Sequence, residues 1–112
     1  MAARAEVDTL RSLAHGSISG AYAAVGTAFT TTARIARFVN NTDGDMIFSD
    51  DSSNATGKLF LPKGTFVLFD LTTNSNPNVD DSIAFPIGQQ WYVKQSTAPS
   101  SGGVYIEVVY AV

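Results

Sequence analysis

The sequence predicts an all-β fold: an antiparallel β-sandwich, jelly-roll or immunoglobulin-like, of about eight short strands, preceded by a short N-terminal helix or arm. Three observations predict it. From Ser17 onward the apolar residues recur with the alternation of a strand rather than the spacing of a helix. The stretches that alternate are short and rich in Val, Ile, Phe, Tyr and Thr. Clusters of Gly, Pro, Asn, Asp and Ser punctuate them at near-regular intervals. At 112 residues the chain has the length of one domain, divided here into a helical arm over residues 1–16 and a sandwich over residues 17–112.

The arm is read from Val7, Leu10, Leu13 and Ala14, which fall at helical spacing with Arg4, Glu6, Asp8 and Arg11 between them. His15 and Gly16 supply a stop signal. A helix of about fifteen residues is marginal alone in water, so it needs a surface to lie on: its own sandwich or a neighbouring subunit. The strands are expected over 17–25, 31–40, 45–49, 58–61, 65–71, 82–85, 89–94 and 104–112. Turn residues lie between them at 42–44, 52–54, 62–64, 76–78, 86–88 and 99–103.

The strand faces carry more information than the strand positions. In the last strand Val104, Ile106, Val108, Tyr110 and Val112 share one face, which should turn to the core. Tyr105, Glu107, Val109 and Ala111 share the other. Phe66, Leu68 and Asp70 likewise alternate with Thr65, Val67, Phe69 and Leu71, and Tyr92 and Lys94 alternate with Trp91 and Val93. A sandwich with one wet face should alternate more cleanly than this. Apolar residues on both faces imply that the outer faces are covered, by the arm and loops or by another chain. The residues expected at such contacts are Val7, Leu10, Leu13, Phe66, Trp91, Tyr92, Tyr105 and Val109.

Composition excludes several functions. Seven Lys and Arg against ten Asp and Glu give a net charge of −3, with only Arg34 and Arg37 close together, so a general grip on phosphate backbones is not expected. Without cysteine there is no disulfide, thiolate metal site or thiol nucleophile. The opening residues lack the apolar run of a secretory signal and no stretch approaches a membrane span, so the expectation is a protein kept in the cytoplasm until a larger particle carries it out, with no membrane partner. Asn40-Asn41-Thr42 and Asn54-Ala55-Thr56 match the glycosylation triplet but read as turn chemistry.

Catalysis finds no constellation. His15, the single histidine, has no serine, cysteine or carboxylate grouped with it. Asp43, Asp45, Asp50, Asp51, Asp80 and Asp81 occur in pairs, but the run at Asp43 lacks the further oxygens and terminal Glu of a calcium loop, and solvated turns are the expectation. No enzyme activity, cofactor, metal or small-molecule substrate is expected. Trp91, Tyr92 and Tyr105 leave open a carbohydrate-binding module, which would need them exposed beside polar groups in one groove.

Several strings carry a resemblance. They are Arg34-Ile-Ala-Arg-Phe-Val-Asn-Asn-Thr-Asp-Gly-Asp-Met-Ile-Phe-Ser49, Leu61-Pro-Lys-Gly64, Phe66-Val-Leu-Phe-Asp-Leu-Thr-Thr-Asn74, Trp91-Tyr-Val-Lys94 and Gly103-Val-Tyr105. Together they resemble a group of small tailed-phage virion proteins over roughly residues 18–112. The resemblance implies a homo-oligomeric structural protein that assembles in the host bacterial cytoplasm into a ring or coat of the virion. Its implied place is the neck, as a collar or head-to-tail connector component, with portal or capsid proteins as partners. Capsid decoration and tail accessory roles are the alternatives within that group.

Overall fold

The computed structural model describes residues 5–71 and 84–111. Among them are nine strands: β1 (Ala5–Val7), β2 (Arg11–Ala14), β3 (Ala23–Ala24), β4 (Ile35–Thr42), β5 (Met46–Ser49), β6 (Leu59–Leu61), β7 (Thr65–Asp70), β8 (Tyr92–Gln95) and β9 (Gly102–Ala111). A single 3-10 turn spans His15–Ser17. All the strand pairs are antiparallel. The larger sheet runs β1–β9–β4–β7, with β2 beside the other half of β9, so that β1 and β2 share one edge end to end; the smaller runs β3–β8–β5–β6.

The pairings nest. β5 pairs with β6, β4 with β7, β3 with β8 and β2 with β9, as in one long hairpin. The additional pairs β4 with β9 and β5 with β8 roll that hairpin into two sheets. This is the jelly-roll arrangement, which decides between the two sandwiches the sequence allowed.

The N-terminal helix is not formed. Arg11 and Leu13 point inward and Ser12 outward in β2, paired with Ile106, Val104 and Tyr105. The helical spacing of Val7, Leu10 and Leu13 arises because two short strands are joined by a bend: Val7 faces outward on β1, Leu10 lies in the bend and Leu13 faces inward. What overrides the local pattern is the edge of β9, whose backbone groups need partners that only a strand supplies. Residues from Ala5 on therefore belong to the sandwich and form no separate arm. Of the expected strand 17–25 only Ala23–Ala24 pairs. Of 82–85 the described part is Ala84 and Phe85, and Phe85 makes an isolated bridge to Ala33; the turn at 76–78 lies outside the described residues. The other six strands stand close to their expected places.

The core lies between the sheets. Ala36 and Phe38 from β4, Val104, Ile106 and Val108 from β9, Met46 and Phe48 from β5, and Val93 from β8 are fully buried. Phe38 is the hub, with edge-on contacts to Trp91 (4.6 Å between centroids), Phe69 (5.7 Å), Phe48 (5.9 Å) and Phe85 (6.3 Å). Edge-on rings place positive rim against negative face, which favours this packing beyond the area buried.

Candidate functional site: the outer face of the larger sheet

The register of the larger sheet decides which side chains meet on its outer side. Three rows cross it: Tyr105–Val39–Phe66, Glu107–Arg37–Leu68, and Val7–Val109–Ile35–Asp70. Leu10 joins them from the bend between β1 and β2, where it lines a shallow depression of about 250 Å3 together with Arg37, Val39, Asn41, Tyr105 and Glu107. Val7, Leu10, Phe66 and Leu68 each expose more than half their surface. At the centre Arg37 Nε donates to Glu107 Oε1 at 2.6 Å across β4 and β9. The guanidinium also lies over the Phe66 ring, 5.4 Å from its centroid. The face is thus largely apolar, with the Arg37–Glu107 pair at its centre and Asp70 at its margin.

The smaller sheet treats its outer side differently. The loop between β5 and β6 folds over it, with Tyr22 Oη donating to Asn54 O at 2.7 Å. Lys94 Nζ lies 4.7 Å from the Tyr22 ring centroid and donates to Ala55 O. Gly57 sits where a Cβ would come within 2.0 Å of Ile47 Cγ2, so this loop presses directly on β5. This loop covers part of the smaller sheet's outer side, where Phe60 stays exposed, whereas no described residue covers the outer side of the larger sheet.

No family model, curated protein or solved structure matches the chain. Among the described residues no helix is long and apolar enough to cross a membrane.

Of the contact residues expected from the sequence, the structure gathers Val7, Leu10, Phe66, Tyr105 and Val109 on the open face. It removes three. Trp91 is buried in the core, its Nε1 donating to Gln89 Oε1 at 2.9 Å. Leu13 packs inward against the core. Tyr92 lies on the outer side of the opposite sheet, because β8 alternates about the buried Val93. The three aromatics of the carbohydrate reading therefore form no common platform. Leu68, Val39 and Ile35 belong to the face and were not singled out, although the alternation of Phe66 and Leu68 carried the signal for the first. The Arg37–Glu107 pair spans seventy positions in sequence and is visible only once register is known.

The acidic pairs and the histidine work locally. Asp43 accepts from Ser100 N at 2.7 Å and from the Ser100 hydroxyl, which holds its carboxyl down at about 2. Asp45 caps Lys63 N at 3.0 Å, Asp50 pairs with Lys58 at 2.7 Å, and Asp51 accepts from Ser53. The Ser53 hydroxyl and N–H lower Asp51 below its usual value, and the Asp50 carboxylate raises Lys58. Asp80 and Asp81 lie outside the described residues. His15 stands in the 3-10 turn rather than at a helix end, with Nδ1 3.1 Å from Gly102 O.

Proposed function

We propose that this protein is a structural subunit of a tailed-phage particle, assembling in several copies into a ring or coat, at the neck as a collar or head-to-tail connector component. The observation that carries the assembly reading is the largely apolar outer face of the larger sheet, which no described residue covers, beside a smaller sheet that the β5–β6 loop partly covers. A contiguous apolar surface of this kind is characteristic of a protein-contact site. The jelly-roll supports the reading only by analogy, since that fold serves viral capsid proteins and lectins alike. Against the lectin stands the dispersal of Trp91, Tyr92 and Tyr105. The phage assignment rests on the resemblance of the strings at 34–49, 61–64, 66–74, 91–94 and 103–105. Those falling within the described residues form the corner between β4 and β5, the β6–β7 turn, β7, β8 and part of β9. Its work is then geometric: a rigid tile that catalyses nothing and contacts other copies and portal or capsid proteins.

The test is the native mass by light scattering over a concentration series. A closed multimer, or a mass that climbs with concentration, is the expected outcome. A strict monomer that binds immobilised glycans would overturn the reading in favour of the binding module.

A further inference from the structure

We propose that copies of this chain join side by side, the β7 edge of one against the β1 edge of the next, so that their larger sheets continue into one another around a ring. The inference rests on the multi-copy reading above and names the joint that would build it.

The exposed apolar side chains stand at the flanks of the molecule. Among the described residues, the large apolar side chains most open to solvent are Val7 on β1, Leu10 in the bend that follows, Phe60 on β6, Phe66 and Leu68 on β7, and Ile87 in a turn. β1, β6 and β7 are outermost strands of their sheets, and the inner strands β4, β9, β5 and β8 carry none of these residues. The contact surface is therefore placed for a neighbour beside the sheet rather than over it. β7 also lacks the devices that keep an edge from pairing, since Thr65 to Asp70 includes neither Lys nor Pro.

Strand direction fits a head-to-tail partner. β1 is antiparallel to β9, β9 to β4 and β4 to β7, so the two edges of the larger sheet run opposite ways. Rotation about an axis parallel to the strands preserves the direction of each, and it brings β7 of one copy antiparallel to β1 of the next. Each copy then offers a different surface to each neighbour, the heterologous contact that closes into a ring.

Spacing sets the register. Phe66 and Leu68 lie two residues apart on the outer side of β7, about 7 Å. Val7 stands in the row of Ile35, and Leu10 lies one row further along beside Arg37 and Val39. Leu68 opposite the partner's Val7 therefore puts Phe66 opposite the partner's Leu10. Asp70 then falls opposite the partner's Ala5, beyond both apolar pairs. Glu6, on the other side of β1, is held by the Tyr110 hydroxyl, which donates to it at 2.9 Å. β2 stays out of the joint, because the segment from Gly26 to Ala28 packs against Arg11 there.

The chain has no cysteine, so introduced pairs can be read without background. Oxidised V7C/L68C should give a ladder of dimers, trimers and larger species on a non-reducing gel, since opposed residues of antiparallel neighbours stand within disulfide range. L10C/F66C should do the same and keeps the test open if the first variant fails to fold, as read by thermal melting. Neither V7C nor L68C alone should cross-link, and the two mixed should stop at a dimer. L68K, which sets a charge in the joint, should lose the multimer in light scattering while still melting cooperatively. Cross-linking of L68C alone would mean a two-fold joint between β7 edges and overturn the proposal. A multimeric wild type whose two double variants fold but form no ladder would overturn it as well, while the multi-copy reading stands. A wild type that stays monomeric to about 1 mM, the concentration of the weakest measurable complexes, overturns both.

Discussion

Arg11 shows how much a single residue can hold. It is 3% exposed, and its guanidinium donates to Thr27 O (2.7 Å), Thr9 O (3.0 Å), Ala28 O (3.1 Å) and Asp8 Oδ2 (3.2 Å) while lying 5.1 Å from the Phe29 centroid. A buried cation is tolerated only when it is satisfied in this way. Truncation to Ala would strand three carbonyls and a carboxylate, and we expect R11A to lose about 3 kcal/mol in denaturant unfolding. Asp43 makes a different prediction. Because the Ser100 bonds lower its carboxyl from 3.8 to about 2, they stabilise the fold fully above pH 4 and are lost as pH falls through the native value. The stability advantage of the wild type over D43N should therefore be constant above about pH 4 and shrink between pH 4 and 2. Trp91, enclosed by Phe38 and Phe85, should emit at a blue-shifted wavelength and resist quenching by iodide. The sequence placed Trp91 correctly on the face of Val93, but could not say that this face met a second sheet instead of another subunit.

At the scale of elements, the N-terminal segment changes its meaning most. As an arm it could be removed without harm to the sandwich. As β1 and β2 it covers the edge of β9, contributes Arg11 to the interior, and brings Asp8 N to Val108 O at 2.9 Å. Deleting residues 1–16 should consequently lower the melting temperature sharply, and a truncated chain that melts like the full one would contradict the pairing. The corner between β4 and β5 was more legible. Asn40 Nδ2 donates to Gly44 O and Leu61 O, both at 2.9 Å, and its Oδ1 accepts from Thr42 N and the Thr42 hydroxyl. The triplet at Asn40 is thus buried turn chemistry, as its composition suggested. Alternation and turn residues gave away most strands because both are local signals. The end-to-end edge of β1 and β2 was hidden because two three- or four-residue strands and a bend reproduce helical spacing.

For the whole molecule, what could not be read from sequence was pairing. Nothing local says that β2 meets β9 or that Arg37 meets Glu107, and these long-range matches create both the roll and the open face. They also bind the elements into one unit, since both halves of the nested hairpin contribute to the same aromatic core. Unfolding followed by far-ultraviolet dichroism and by Trp91 emission should give coincident transitions, as a single cooperative unit requires. The nesting also imposes an order in time. β9, flanked in its sheet by β1, β2 and β4, is synthesised after the other eight described strands. Until it leaves the ribosome, β1 and β2 have no neighbour, and the rows that carry Tyr105, Glu107 and Val109 do not exist. The outer face is therefore completed in two stages, the rows of β4 and β7 first and those of β9 when the roll shuts.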